Sequence, residues 1–418
     1  DSSFLYYWGL DEPGLFAIID LDLGREIIFG DDRTLDDEIW MGPCVSLSER
    51  AAEAGVTERE PAASLDGYLA SALCAHRPIR FLPQYLADTN LRLQHHLGIE
   101  PRSLNQYASE EFIRAVVAQR LIKSEAEVAE IESALEVSSD MYATALRLIR
   151  PEMVEQELVG AVEGAVLAAG SRTSFPTILS VRGETLHNHC HANRMRAGDL
   201  LLIDSGAESP LHYASDITRT VPVSGRFEPR QKEIYEIVLA AQMKAIELMQ
   251  PGVSFRDIHL GAATVIAEGL TGLGLMRGDP AAAVAAGAHA LFFPHGLGHA
   301  LGLDVHDMEG LGEKFVGYDG EFMRSDVFGL AYLRFAKRLQ PGHVLTVEPG
   351  IYFIPSLIAA WKKERKHSRF IDYAAVERYG GFGGIRIEDD VLVTPDGHRV
   401  LGPAIPKTVS EIEAAIGK

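Results

Sequence analysis

The sequence predicts an α/β (α+β) chain of two domains, a smaller N-terminal α/β unit and a larger C-terminal domain. Three observations carry this. Short apolar runs bounded by Gly and Asp read as strands and alternate with stretches of helical period. A capping-box pattern, Ser124-Glu125-Ala126-Glu127, opens a long helix. Beyond it, four carboxylates and one imidazole sit on separate, otherwise apolar segments.

In the first part, Leu15 to Ile19 and Glu26 to Phe29 read as strands, and Ser64 to Ala75 and Ile113 to Ile122 as helices. No GxGxxG or P-loop pattern appears there, so this part carries no nucleotide-site signal. The domain boundary falls near residue 122, giving domains 1–122 and 123–418. The capped helix runs to about Ile149 and stops before Pro151. Further helices are expected over Val154 to Ala169, Arg230 to Met249 and Phe255 to Gly269. The charge run Lys362 to Lys366 reads as a solvated helix face.

With 418 residues the chain can bury a large core. A net charge of −20 disfavours nucleic-acid backbones and anionic membranes as partners, because both would repel it. The longest apolar candidate, Ala281 to Phe293, is 13 residues and mostly alanine. A bilayer requires about 20, so no membrane span is expected. Cys44, Cys74 and Cys190 are widely spaced with no CxxC pair, which fits a reducing, cytoplasmic compartment rather than a disulfide framework. The opening Asp1-Ser2-Ser3 has no basic n-region, so no signal peptide is expected.

The chemistry lies in the second part. Leu200 to Ile203 is a buried-strand run that ends in Asp204, a costly place for a carboxylate unless it is paired or metal-bound. Asp216 follows 12 residues on, with Pro210 midway. A hairpin turning there sets the two acids roughly opposite each other, about 4.5–5.5 Å apart at Cβ. That suits a metal pair about 3.5–4 Å apart. Alone, Asp216 would serve equally well as a strand-opening or capping residue.

Val344 to Val347 is another buried strand, followed directly by Glu348. In Ile385 to Asp390, period two puts Arg386 and Glu388 on one face. Arg386 would orient a metal carboxylate and offset its charge, the alternative being a surface salt-bridge strand. His295, His299 and His306 lie within 12 positions. The spacing of the first two is that of HExxH, but Gly296 stands where the catalytic Glu would be, which argues against a single-zinc metalloprotease. His187, His189 and His191 form a second cluster, readable as a site or as a polar loop. The mostly hard, anionic set of Asp204, Asp216, His299, Glu348 and Glu388 suits two divalent cations and metal-assisted hydrolysis.

These segments together resemble the creatinase/aminopeptidase P/prolidase metallopeptidases, most closely the prolidase members, across essentially the whole chain. The motifs are ASDIT, PHGLGH-x-LG-x-DVHD, LQPG-x-VLTVEPGIYF and GFGG-x-RIE-x-D, in that order. The resemblance implies a pita-bread catalytic domain that hydrolyses Xaa-Pro dipeptides as substrate. It implies metal ligands at Asp204, Asp216, His299, Glu348 and Glu388, with Asp216 and Glu388 bridging and Glu348 also moving the proton of the attacking water. The ions implied are Mn2+ first, with Co2+ or Zn2+ as alternatives. His306 matches the histidine that stabilises the tetrahedral intermediate, His187 a substrate-contacting histidine, His295 a supporting pocket histidine and Arg386 the arginine beside the last ligand. Arg334 matches the arginine that grips a dipeptide's free carboxylate, though an Arg in LAYLRFAKRL also reads as a solvated helix residue. Trp40, in Trp40-Met41-Gly42, matches a loop that reaches towards an active site in family homodimers, or is simply packing. One departure is Phe175, where the family commonly has Tyr; the loop Val181 to Thr185 also reads as shortened. The alternatives are an aminopeptidase acting on longer Xaa-Pro-Yaa peptides and a catalytically inert pita-bread binding protein.

Overall fold

The computed structural model describes residues 1–417. The chain divides into two compact units, Asp1–Arg120 and Leu121–Lys418, two residues before the boundary expected from the sequence.

In the first unit, strands β1 (Phe16–Asp20) and β2 (Arg25–Phe29) pair antiparallel, and β3 (Glu58–Glu60) adds parallel to β2. Alternation on β2 explains why the sheet has two covered faces. Ile28 packs with Leu10, Leu47, Ala51 and Val56, while Ile27 and Phe29 pack with Leu65 and Leu69. The expected helices occur at Ser64–Cys74 and Glu110–Arg120. Trp40 is not on a loop but on a helix, Leu35–Met41, started by a Thr34 capping box. None of that helix is buried, so the packing reading of Trp40 fails.

The second unit opens as its capping box requires. Ser124 accepts from the Glu127 amide, Glu127 reaches back, and the helix runs over Glu125–Leu148. Its buried positions, among them Val128, Ile131, Leu135 and Tyr142, keep the three-to-four spacing of one apolar face. Further helices cover Glu155–Ala168, Pro229–Leu248 and Phe255–Gly272, the last two packed on each other. The apolar stretch before Pro294 is broken into Pro280–Ala285 and a 3-10 turn, Ala288–Leu291. No helix among the described residues is long and apolar enough to cross a membrane. The charge run ends a helix, Pro355–Glu364, with Lys362, Lys363 and Glu364 exposed, so the solvated face is observed.

The strands of this unit are β4 (Ile178–Ser180), β5 (Leu200–Ser205), β6 (Ile217–Pro222), β7 (Val344–Val347), β8 (Gly350–Tyr352), β9 (Gly384–Arg386), β10 (Asp389–Thr394) and β11 (Gly397–Val400). They pair antiparallel as β4-β5-β6, β11-β10-β7 and β8-β9. Single bridges join the pieces, Thr218 to Glu388 and Ala300 to Leu345. β5 and β6 are buried along their whole length, which requires apolar residues on both faces and makes their polar residues conspicuous.

Candidate metal centre

Every acid of interest lies at a strand end or one residue beyond it. Asp204 is the penultimate residue of β5, Asp216 precedes β6, Glu348 follows β7, and Glu388 stands between β9 and β10. Each strand delivers its carboxylate into the buried interior, where Asp204, Asp216 and Glu388 are at most 8% exposed.

The hairpin register differs from the expected one. Asp204 pairs with Thr218, not Asp216, because the turn centres one residue later than Pro210. A shift of two in the pairing partner preserves the face, so Asp216 still lies on the side of Asp204, diagonally. Thr218 takes the opposite place and uses it. Its hydroxyl donates to Glu388 Oε2 at 2.6 Å and accepts from Arg386 Nε at 3.1 Å, and its carbonyl accepts from the Glu388 amide at 3.0 Å.

His299 enters from an extended segment, not a helix. A Cβ on Gly298 would collide with the Thr346 carbonyl, so glycine there lets this segment lie against β7. Two bonds seal the approach: the His299 amide to Thr346 Oγ1 at 3.1 Å and the Thr346 amide to the His299 carbonyl at 3.0 Å. Nδ1 of His299 donates to the Ala300 carbonyl at 3.2 Å. That leaves Nε2 as the lone-pair nitrogen, 3.4 Å from Asp216 Oδ2 and 3.8 Å from Glu348 Oε1. Ligand atoms of Asp216, His299 and Glu388 all lie within 4.8 Å of one another.

Electrostatics show what this cluster lacks. Burial, and then the neighbouring acids, push the pKa values of Asp216 and Glu388 well above the carboxylate range. Glu348 is pushed up to about 8, chiefly by burial. His299 is held well below its usual value by burial and then by His306, so its ring is neutral. Asp204 Oδ1 and Asp216 Oδ1 are buried without a hydrogen-bond partner among the described residues. Gathered, dehydrated carboxylates with unfilled lone pairs and a neutral imidazole are the donor set a pair of divalent cations requires.

One guanidinium serves the whole set. Arg386 is 4% exposed; it donates to Asp204 Oδ2 through Nη2 and to Tyr352 Oη through Nη1 at 2.9 Å. The surface salt-bridge reading of this strand is therefore wrong. Tyr352 in turn donates to His295 Nε2 at 2.8 Å, while His295 Nδ1 donates to the Gly296 carbonyl at 2.7 Å and stands 3.7 Å from Glu348 Oε2. Burial, then Arg386, lowers His295 to about 3, so it is a neutral hydrogen-bonding residue.

Other expected residues fall around this core. The His306 ring packs on His299 with centroids 4.2 Å apart, and Nδ1 donates to Glu309 at 2.7 Å. Arg334 lines the same pocket as His299, His306, Glu309, Glu313 and Phe335. It follows a 3-10 turn, Leu330–Tyr332, so the solvated-helix reading fails. His187, after β4, is exposed, and partial desolvation followed by the Arg386 charge lowers its pKa. Phe175 is half-buried. Trp40 belongs to the first unit.

Sequence reasoning missed Thr218, Tyr352, Glu309 and Asp390. Asp390 Oδ2 accepts from the Asp216 amide at 3.0 Å and so fixes the start of β6. Tyr352 had a legible signal. It pairs with Gly384 across β8 and β9, and a Cβ on Gly384 would strike its ring, which accounts for a glycine in GFGG.

Residues 129–395 match the model of metallopeptidase family M24, and residues 1–79 match the aminopeptidase P N-terminal domain. The chain belongs to metallopeptidase family M24. It is 33% identical to the human Xaa-Pro dipeptidase, covering 100% of this chain and 84% of that protein. It is 34% identical to a probable Xaa-Pro aminopeptidase of Fusarium vanettenii, over 99% and 86%. Among solved structures, an Escherichia coli aminopeptidase P variant with substrate superposes with a TM-score of 0.80 at 32% identity, covering 100% and 88%. The Pseudomonas aeruginosa aminopeptidase PepP does so with 0.81 at 31%, over 100% and 88%. Like the M24 peptidases it matches, this chain is a metal-dependent hydrolase, and the two-unit layout is theirs.

Proposed function

We propose that this M24 hydrolase cleaves Xaa-Pro dipeptides. The observation that carries the reading is Arg334, which lies in one pocket with His299 and His306, beside the acid cluster. Its Nη1 is held by Glu309 and Glu313, which leaves Nη2 and Nε as a fork for a planar carboxylate. A substrate extended by one residue would present an amide there and leave that fork unpaired, a strong basis for rejection. The rival reading, an aminopeptidase acting on longer Xaa-Pro-Yaa peptides, has its own support: the two acids on Arg334 offset its charge, and relatives named for that activity match equally well.

In this reading Asp204, Asp216, His299, Glu348 and Glu388 would hold two divalent cations. The cations, when bound, supply an acidified water and polarise the scissile carbonyl. Mn2+ is the ion proposed, since oxygen ligands dominate, with Co2+ and Zn2+ as alternatives. Glu348 takes the proton of the attacking water and delivers it to the prolyl nitrogen, a role that suits its place directly after β7 and beside His299. His306, with Nδ1 fixed by Glu309, presents Nε2 to the carbonyl oxygen as charge develops. Arg386, braced by Tyr352 and Thr218, holds Asp204 in place. His295 and His187 bound the substrate side. A homodimer and a cytoplasmic setting complete the proposal, the latter supported by three unpaired cysteines.

The test is hydrolysis of Ala-Pro against Ala-Pro-Ala by chelated, Mn2+-reloaded enzyme. Cleavage of the dipeptide alone is expected. Preference for the tripeptide would favour the aminopeptidase reading, and no cleavage of either, with no metal taken up, an inert binding protein.

A further inference from the structure

Glu309 holds two groups that the proposed reaction uses separately. One carboxylate oxygen accepts from His306 Nδ1 at 2.7 Å; the other accepts from Arg334 Nη1. It opens a short turn, Glu309–Leu311, anchored by the buried Met308 and Leu311, so its position is set by packing. Its neighbour Glu313 also reaches Arg334 Nη1, at 3.3 Å, but is shared with Arg324 at 3.0 Å and has no recorded bond to His306. Hydrogen bonding from His306, and then the Arg334 charge, keep the Glu309 carboxyl below its usual range against partial burial, so it is an anion.

We infer that Glu309 is a positioning residue that couples the carboxylate clamp to the oxyanion histidine. Resting on the dipeptidase reading, the argument is geometric. Arg334 is a long side chain, one-third exposed, with rotamer freedom to lose. Pinning Nη1 removes that freedom and aims Nη2 and Nε at one place. The same carboxylate fixes which ring nitrogen His306 offers to substrate. A substrate carboxylate that pulls on Arg334 therefore acts on His306 through one rigid intermediary. Correct length at the far end of the substrate is read out as orientation at the reacting carbonyl.

A double-mutant cycle on the Mn2+-loaded full chain tests this, with Ala-Pro and Ala-Pro amide as substrates. Glu309→Gln keeps the size and removes the charge. It is expected to lower kcat/KM for Ala-Pro by roughly 10- to 100-fold, the range for residues that orient a site's working groups. It should also shrink the Ala-Pro to amide ratio, and in an Arg334→Ala background it should leave that ratio unchanged. Additive effects, or a ratio equal to that of the wild type, overturn the coupling. Loss of thermal stability and metal content with the ratio intact would show a merely structural role and overturn it as well. If the wild type itself does not distinguish acid from amide, the dipeptidase reading fails on its own. Glu309 is then judged by kcat on Ala-Pro-Ala, where equality of wild type and Glu309→Gln overturns its hold on His306.

Discussion

Among the described residues, two groups of Asp, Glu and His have the spacing of metal ligands, and they behave in opposite ways. Asp66, His95 and His96 lie on the first unit. Asp66 and His95 are exposed, and each carboxylate oxygen of Asp66 is engaged by one ring, with His95 at 3.2 Å. The hydrogen bond from His96 lowers the Asp66 pKa, the signature of a satisfied carboxylate. Asp216, His299 and Glu388 are buried, and burial raises both acids well above their usual range. Water and internal partners complete the first group. The second has had its water removed and its like charges gathered, so only added positive charge completes it. Ligand-type residues are fit to hold a metal ion when burial leaves them unsatisfied.

The largest effect should come from breaking the buried group. Asp216→Asn or Glu388→Gln is expected to reduce peptide hydrolysis to background and to lower bound metal, read by plasma emission on the purified protein. Next is Arg386→Lys, which keeps the charge but loses the fork to Asp204, Tyr352 and Thr218. About 10- to 100-fold loss in kcat/KM or metal affinity is expected. An unchanged titration would show that Asp204 orients without it.

The pH response sharpens the contrast. An acid whose folded pKa is raised binds its proton more tightly when folded, so its folded state loses stability as pH rises from the unfolded value towards the folded one. Chelated protein should therefore melt progressively lower between about pH 5 and 8, following Glu348, with Asp216 and Glu388 acting in the same direction. Saturating Mn2+ should flatten that slope. Asp66, with its lowered pKa, contributes in the opposite sense, losing its small stabilisation on acidification. A chelated sample whose melting temperature rises over that range would contradict the burial argument.

Smaller again is Thr218→Val, which removes both hydroxyl bonds beneath the centre while keeping the shape. About tenfold loss of activity is expected, with the fold intact by circular dichroism. Smallest is Asp66→Asn, which should leave metal content and kcat/KM within about twofold of the wild type.

Much of the site could be read in the chain because strands that end in acids are rare and costly. LLID, VLTVE and GGIRIE each announce a carboxylate at the edge of a buried run, and the capping box at Ser124 announces the catalytic unit. What escaped was anything set by pairing. Thr218 looks like an ordinary strand residue until the register of β5 and β6 opposes it to Asp204. Glu309 reads as one more surface acid until the turn at Met308 brings it to both His306 and Arg334.

The sequence by itself therefore determined the residue types, the strand ends that carry them and, through motif order, the family. Tertiary structure alone decided which acids are unsatisfied, which nitrogen of each histidine is free, and which neighbours brace Arg386 and Arg334. The physical reason is that propensity and periodicity act over a few residues. Dehydration and charge crowding arise only where segments more than a hundred residues apart, such as those of Asp204 and Arg386, meet in one low-dielectric space.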